Sequence, residues 1–300
     1  MTTTGPAVTL ADGQLSAIYL AADKVSGAGQ RRTKNLVRTE LIALIVASAA
    51  GVTTLRVGEY DILAVVSALA FIVAMSATVT RALSKPEEDW YEGRAAAESA
   101  RTLAWKFAMG SNPFAANGDE PAVAVHLLRR LRKVVAQLPD SKLDPPTRED
   151  EELTAAMKQL RAADLATQRA VYKRDRIENQ LSWYERRSGE HKKSAKSWLG
   201  TAMVFSALGI LAAGFKFFSI EVDLLGVFAA FASSAIAWNQ LNQHRNQATA
   251  YAVTARELII IRDTIDQVSD HDWPQFVAES EEAISREHTM WLARHGHLAG

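Results

Sequence analysis

Four stretches of the chain carry no charged residue: Leu41–Leu55, Ile62–Thr80, Ser197–Phe215 and Leu224–Gln243, of 15, 19, 19 and 20 residues. At a helical rise of about 1.5 Å per residue they reach roughly 22 to 30 Å, against a bilayer hydrocarbon core of about 30 Å. The first is short and needs Leu36, Val37 and a snorkelling Arg38 or Arg56 to complete a crossing. All 34 basic and 34 acidic residues fall in the remaining 227 positions, so a net charge of zero conceals a sharp segregation. Buried helices of a soluble core seldom lack charge for so long, and here four do. The pattern predicts an all-α membrane protein with four transmembrane helices and long cytoplasmic helices.

The windows come in pairs. Arg56–Asp61 joins the first two and Lys216–Asp223 the second two, each short enough to force a helical hairpin. Lys24, Arg31, Arg32, Lys34 and Arg38 precede the first hairpin; Arg186, Arg187, Lys192, Lys193 and Lys196 precede the second. Each hairpin loop holds one basic residue against two acids, so both loops are expected outside and both termini in the cytoplasm. The segment from Met1 to Asp23 has neither the basic start nor the apolar run of a cleaved signal peptide.

The same plan is written twice: a polar helix entering a basic cluster, a hairpin, and a second polar helix. The expected helices are Ala11–Arg38 and Glu87–Met109 in the first unit, the latter ended by Gly110-Ser111-Asn112-Pro113. In the second they are Thr147–Lys196 and Gln243–Val268, and the segments after the hairpins share Ser99-Ala100-Arg101-Thr102-Leu103 against Thr254-Ala255-Arg256-Glu257-Leu258. The units are expected at 1–138 and 147–300, separated by a proline-rich linker at 139–146. Thr147 reads as an N-cap, with Glu149 to Glu152 in the first turn of a long helix that continues into the third window.

Chemistry is sparse. The chain has no cysteine, nucleophile elbow, phosphate loop or full dinucleotide fingerprint, so no enzyme activity and no cofactor is expected. His288, His295 and His297 alone resemble metal ligands, at a terminal position that argues against a site. The charge balance argues against nucleic-acid binding. Nor do the windows hold ionisable groups at mid-depth, as pumps and ion-coupled transporters do.

Small residues recur at helical spacing instead: Ala43, Ala47 and Gly51, and Gly226, Ala230 and Ser234. Such ridges serve either packing within one chain or a homo-oligomer around an axis. A pore in that oligomer would draw its polar lining from Ser67, Ser76, Ser206, Ser233 and Ser234. Glu59, Asp61, Glu221 and Asp223 would ring its outer mouth, or simply keep the loops wet. Between 123 and 138, Leu127, Leu131, Val134 and Leu138 form an apolar stripe beside Arg129, Arg130, Arg132 and Lys133. That basic flank fits anionic lipid headgroups, a phosphate-bearing ligand, or plain solvent.

The stretch from Arg94 to Gly110 with Asn112-Pro113-Phe114 resembles the segment after the hairpin in SLATT proteins. Gln180-Leu181-Ser182-Trp183-Tyr184 and Arg286-Glu287-His288-Thr289-Met290-Trp291-Leu292 are also similar, which suggests two SLATT-type units in tandem. The resemblance implies a two-transmembrane effector of bacterial conflict systems, seated in the inner (plasma) membrane. Such effectors are proposed to form pores or perturb the membrane, in some relatives on a signal from a nucleotide-sensing partner protein. A non-conducting, membrane-anchored scaffold that recruits a cytoplasmic partner is the alternative.

Overall fold

The computed structural model describes residues 8–115, 120–136, 138, 143, 145, 147, 149–217 and 224–296, with backbone alone at 216–217 and 286–296. Nearly all of these residues are helical: α1 (Ala17–Ala50), α2 (Ile62–Ser84), α3 (Pro86–Ala108), α4 (Glu120–Val135), α5 (Ala155–Arg161), α6 (Leu165–Val171), α7 (Asn179–Phe217), α8 (Leu225–Asn242), α9 (His244–Thr264) and α10 (Trp273–Gly296). A π-helical stretch, Tyr172–Glu178, joins α6 to α7 without a break. The sole sheet among the described residues is a two-stranded hairpin, β1 (Arg56–Val57) and β2 (Tyr60–Asp61), turning at Gly58 with φ 65°. A left-handed residue between two short strands is where glycine costs least.

The chain divides into two compact units that cut across the two sequence repeats. One takes its described residues from 1–29, 87–187 and 250–300, the other from 30–86 and 188–249. The first is the polar body. Its core includes the alanine face of α3 (Ala96, Ala97, Ala100, Ala104, Ala108), Leu127 and Leu131 of α4, and Leu258 and Ile265 around the end of α9. Small side chains let backbones approach: a Cβ on Gly93 would stand 2.7 Å from the Ser26 amide nitrogen of α1. Trp105, Tyr172 and Trp273 meet edge to face, with successive ring centroids 5.8 Å apart.

The expected 147–196 helix needs correction. Thr147 caps nothing helical; Thr154 caps α5 and Asp164 caps α6, each accepting a backbone N–H. The acids before α5 serve another helix instead. Ala17 N–H donates to the Glu151 carbonyl at 3.0 Å and Ile18 N–H to the Glu152 carboxylate at 3.2 Å, so this segment caps α1. The first-turn amides of α1 need acceptors and no residue just ahead of them supplies these two. From Leu165 onward the helix does run unbroken to Phe217. In the first repeat the helix starts at Ala17, after a 3₁₀ turn at Asp12–Gln14, and not at Ala11.

The second unit holds the hairpins. Helix α1 stops at Ala50, so the last five residues of the first charge-free window are turn and not helix. Asp61 caps α2 by accepting from Leu63 N–H and Ala64 N–H, and also takes Leu55 N–H at 3.3 Å. Helices α2 and α8 end in the same way, on Lys85 with φ 42° and Gln243 with φ 44°. These are the two non-glycine residues with positive φ among the described residues, and they occupy the same place in each repeat.

Candidate membrane-embedded site

The hairpin unit is packed inside out. Its large apolar side chains face outward: Val65, Leu69, Ile72 and Met75 on α2, Leu199, Met203 and Leu211 on α7, and Ile42 and Val46 on α1 are all exposed. Ile210 is 73% exposed while Ala47 is 2% exposed. Most of the buried positions are alanines: Ala43, Ala47 and Ala50 on α1, Ala70, Ala74 and Ala77 on α2, Ala202 and Ala212 on α7, Ala232 and Ala235 on α8, with Thr33 and Val37 of α1 and Gly209 of α7 beside them. Water would drive the opposite arrangement, because burying a Leu or Phe is worth about 1.5–3 kcal/mol more than leaving it exposed. Lipid removes that drive and rewards close backbone approach through small residues. Helices Ile62–Ser84 and Leu165–Phe215 are each long and apolar enough to cross a membrane.

Polar groups trim the ends of this apolar surface. Trp198 and Trp238 lie with ring centroids 6.3 Å apart, and the Arg38 guanidinium sits 5.4 Å from the Trp238 ring. Arg81 reaches Glu40 at 3.6 Å. His191 and His244 face each other, Nδ1 to Nδ1, at 3.0 Å. Burial, and secondarily the charge of Lys34, pushes His244 below its ordinary value.

The serines named from sequence do not share one face. Ser67 Oγ donates to the Ala47 carbonyl of α1 at 3.0 Å, and Ser76 Oγ donates to its own helix at the Ile72 carbonyl, 2.7 Å away. Nine residues apart, they stand about half a turn from each other on α2. Ser206 and Ser233 are exposed and Ser234 is half-buried. Of the ridges, Ala43 and Ala47 are buried, Gly51 and Gly226 are exposed, and Ala230 and Ser234 are half-buried. On α8 the most buried line runs instead through Ala232 and Ala235, although a Cβ on Gly226 would still touch Ser48 of α1 at 3.6 Å. Glu59 is exposed, and Asp61 is engaged as the α2 cap. Glu221 and Asp223 lie outside the described residues, as do most of the 139–146 linker, His297, and the side chains of His288 and His295. Among the described residues no group of three or more His, Asp or Glu could hold a metal ion.

Two family models match this architecture. Residues 17–169 match the SMODS and SLOG-associating 2TM effector domain 3, and residues 172–291 match the SMODS and SLOG-associating 2TM effector domain 1. The chain belongs to the SLATT family. It is a tandem pair of SLATT domains and a membrane protein. No curated protein and no solved structure matches it. The two SLATT matches meet between 169 and 172, at the start of the π-helical stretch, so the first takes in α5 and most of α6.

In the body of the SLATT pair, α4 carries its basic flank as the sequence suggested. Arg129, Arg130, Arg132 and Lys133 are exposed, together with Val125 and Leu128, over buried Leu127, Leu131 and Val134. Three features had no usable sequence signal. One is the fully buried pair Arg176–Glu281, bonded at 2.9 and 2.7 Å, with the Tyr172 hydroxyl donating to the same carboxylate at 3.0 Å. Burial works against charge on Arg176, but the Glu281 carboxylate more than offsets it and keeps the guanidinium protonated. Burial, and then Glu281, raise Tyr172, so its hydroxyl stays a donor. The second is the His191–His244 contact, and the third is a cleft beside Arg161. Their partners lie 105, 53 and 41 residues apart, beyond any local periodicity.

Proposed function

We propose that this tandem SLATT protein is a four-helix, non-enzymatic membrane effector that assembles into homo-oligomers and permeabilises the bacterial inner membrane when triggered. The inside-out packing of the hairpin unit carries the reading. Lipid-facing bulk and alanine-lined contacts suit helices that meet both within a chain and between chains. In this reading α1 and α8 complete the two spans that length and apolarity mark most clearly, and both hairpin loops lie outside. The basic flank of α4 binds anionic headgroups, and the trigger is a nucleotide-sensing partner protein.

Dye leakage tests it. Purified protein in liposomes loaded with a small fluorophore should release dye in proportion to protein, on addition of a partner or constitutively in a destabilised variant. A bulky apolar residue at Ser233 and Ser234 should block the leak if α8 faces the axis. A monomer in both detergent and nanodiscs would refute the assembly, since one four-helix bundle leaves no room for a lined path.

One observation favours the alternative of a non-conducting scaffold. Ser67 and Ser76 are bonded to backbone carbonyls on opposite sides of α2, which leaves that helix little polar surface to wet a path. Liposomes that stay tight while the protein still captures a cytoplasmic partner would decide for the scaffold.

A further inference from the structure

The end of α3, the start of α4 and the end of α5 enclose a cleft of about 420 Å³ in the body unit. This is within the range of small-molecule sites. Its walls are mainly apolar, with Phe107, Pro121 and Leu153 among them, and Arg161, Lys158 and Glu120 supply the charges. Arg161 is fixed from behind. Its Nη1 donates to the Phe107 carbonyl at 2.8 Å, and its guanidinium lies 4.8 Å from the Phe107 ring. The remaining two donors, Nε and Nη2, form a fork that grips Glu120 at 2.9 and 3.1 Å.

The two partners are unequal. The Arg161 side chain is 6% exposed and the Glu120 side chain 62%. An arginine held by a carbonyl and a ring keeps its position without its carboxylate, whereas an exposed carboxylate contributes about 0–1 kcal/mol to stability. Arg161 keeps the Glu120 carboxyl below its ordinary value, so Glu120 sits there as an anion. Glu120 is also the first residue of the sixteen-residue α4, whose N-terminal dipole favours any anion at that point. Bidentate guanidinium geometry suits a carboxylate or a phosphate equally.

We propose that this cleft binds a small organic anion, a carboxylate or phosphate carrying a flat apolar group, with Glu120 as a resident plug that the ligand's head displaces. The apolar group lies against Pro121 and Leu153, and Lys158 lines the cleft as a second cation. The site is independent of whether the membrane portion conducts, because binding itself is measured.

The full chain in phosphatidylcholine nanodiscs is titrated calorimetrically with phenyl phosphate, benzoate, inorganic phosphate and neutral benzyl alcohol. Phenyl phosphate or benzoate should bind saturably, and benzyl alcohol should only partition into lipid. Neutralising the plug with E120Q should tighten binding about tenfold or more, and R161K, which keeps the charge but loses the fork, should weaken it by a similar factor. Phenyl phosphate against benzoate tells which head group is preferred. Weaker phenyl phosphate binding in phosphatidylglycerol nanodiscs that persists at about 0.5 M salt, where the surface charge is screened, would identify a lipid headgroup as the natural source. Equal affinity in wild type and E120Q, binding unchanged by R161K, or no saturable heat in either protein would overturn the proposal. E120Q adds no bulk and loses only an exposed pair, so its result does not depend on a damaged fold.

Discussion

Replacing Glu281 by alanine should cost the body unit about 3–5 kcal/mol, the usual cost of stranding one member of a buried ion pair. Both side chains are fully buried, and the carboxylate accepts from Arg176 Nε, Arg176 Nη2 and the Tyr172 hydroxyl. E281A therefore leaves a guanidinium charge without a counterion and a phenol without an acceptor. At about 2–4 °C per kcal/mol for a domain of 150–250 residues, the melting midpoint should fall by roughly 6–20 °C. Trp105 and Trp273 both contact Tyr172, so two of the seven tryptophans whose fluorescence follows unfolding stand at the site itself. Y172F should lose less, about 1.5–3 kcal/mol for one hydrogen bond to a charged group, since the arginine bonds remain. The double variant R176M/E281L should recover most of the E281A loss, because an apolar pair of similar volume needs no solvation. A fall of less than about 1 kcal/mol in E281A, or a double variant as unstable as the two singles combined, would refute this reasoning.

Further outcomes follow from other contacts. His244 titrates below its ordinary value, so the folded state favours its neutral form; that contribution is present above about pH 6.5 and is lost as pH falls through the lowered value. Melting midpoints of the wild type should drop on acidification from pH 7.5 to 5 more steeply than those of H244Q, in which the facing Nδ1 atoms are no longer both present. Gly→Ala inside a helix ordinarily stabilises by about 1 kcal/mol, but G93A should destabilise by about 1–3 kcal/mol because its Cβ meets α1 backbone. On α2, A74L should lower stability by about 1–3 kcal/mol while L69A on the exposed face changes it little, as read by denaturant unfolding in micelles. Equal effects at positions 74 and 69 would show that the hairpin unit is not packed inside out.

How far the sequence spoke depended on the range of the interaction. The second charge-free window, the short turn of the first hairpin and the amphipathic stripe of α4 are local patterns: α2 fills that window, the turn falls at Gly58, and Leu127, Leu131 and Val134 are buried as a stripe. The cap of α5 is local as well, yet Thr147 and Thr154 offer the same signal, and only tertiary demand at Ala17 and Ile18 shows why the acids between them stay out of the helix. The end of α1 at Ala50 was hidden because an apolar run reads alike in helix and turn. Small-residue ridges were visible, but several faces of α8 carry them, and composition does not say which one turns inward. The Arg176–Glu281 pair, the facing histidines and the Arg161 cleft join residues far apart in the chain, and no spacing announces them.

The interleaving of the two repeats in the body unit sets an order of events during synthesis. The alanine face of α3 shares a core with Tyr172, Leu258, Trp273 and Val277, none of which exists when the first hairpin leaves the ribosome. At about 5–20 residues per second, the second repeat takes on the order of ten seconds to follow. For that interval the first hairpin can enter the membrane while its polar helices wait with an unfilled face. Closure of the body comes only when α10 brings Glu281 to Arg176. A chain interrupted between the repeats would thus carry the first pair of helices and no finished body, so the body core closes only on chains synthesised through α10.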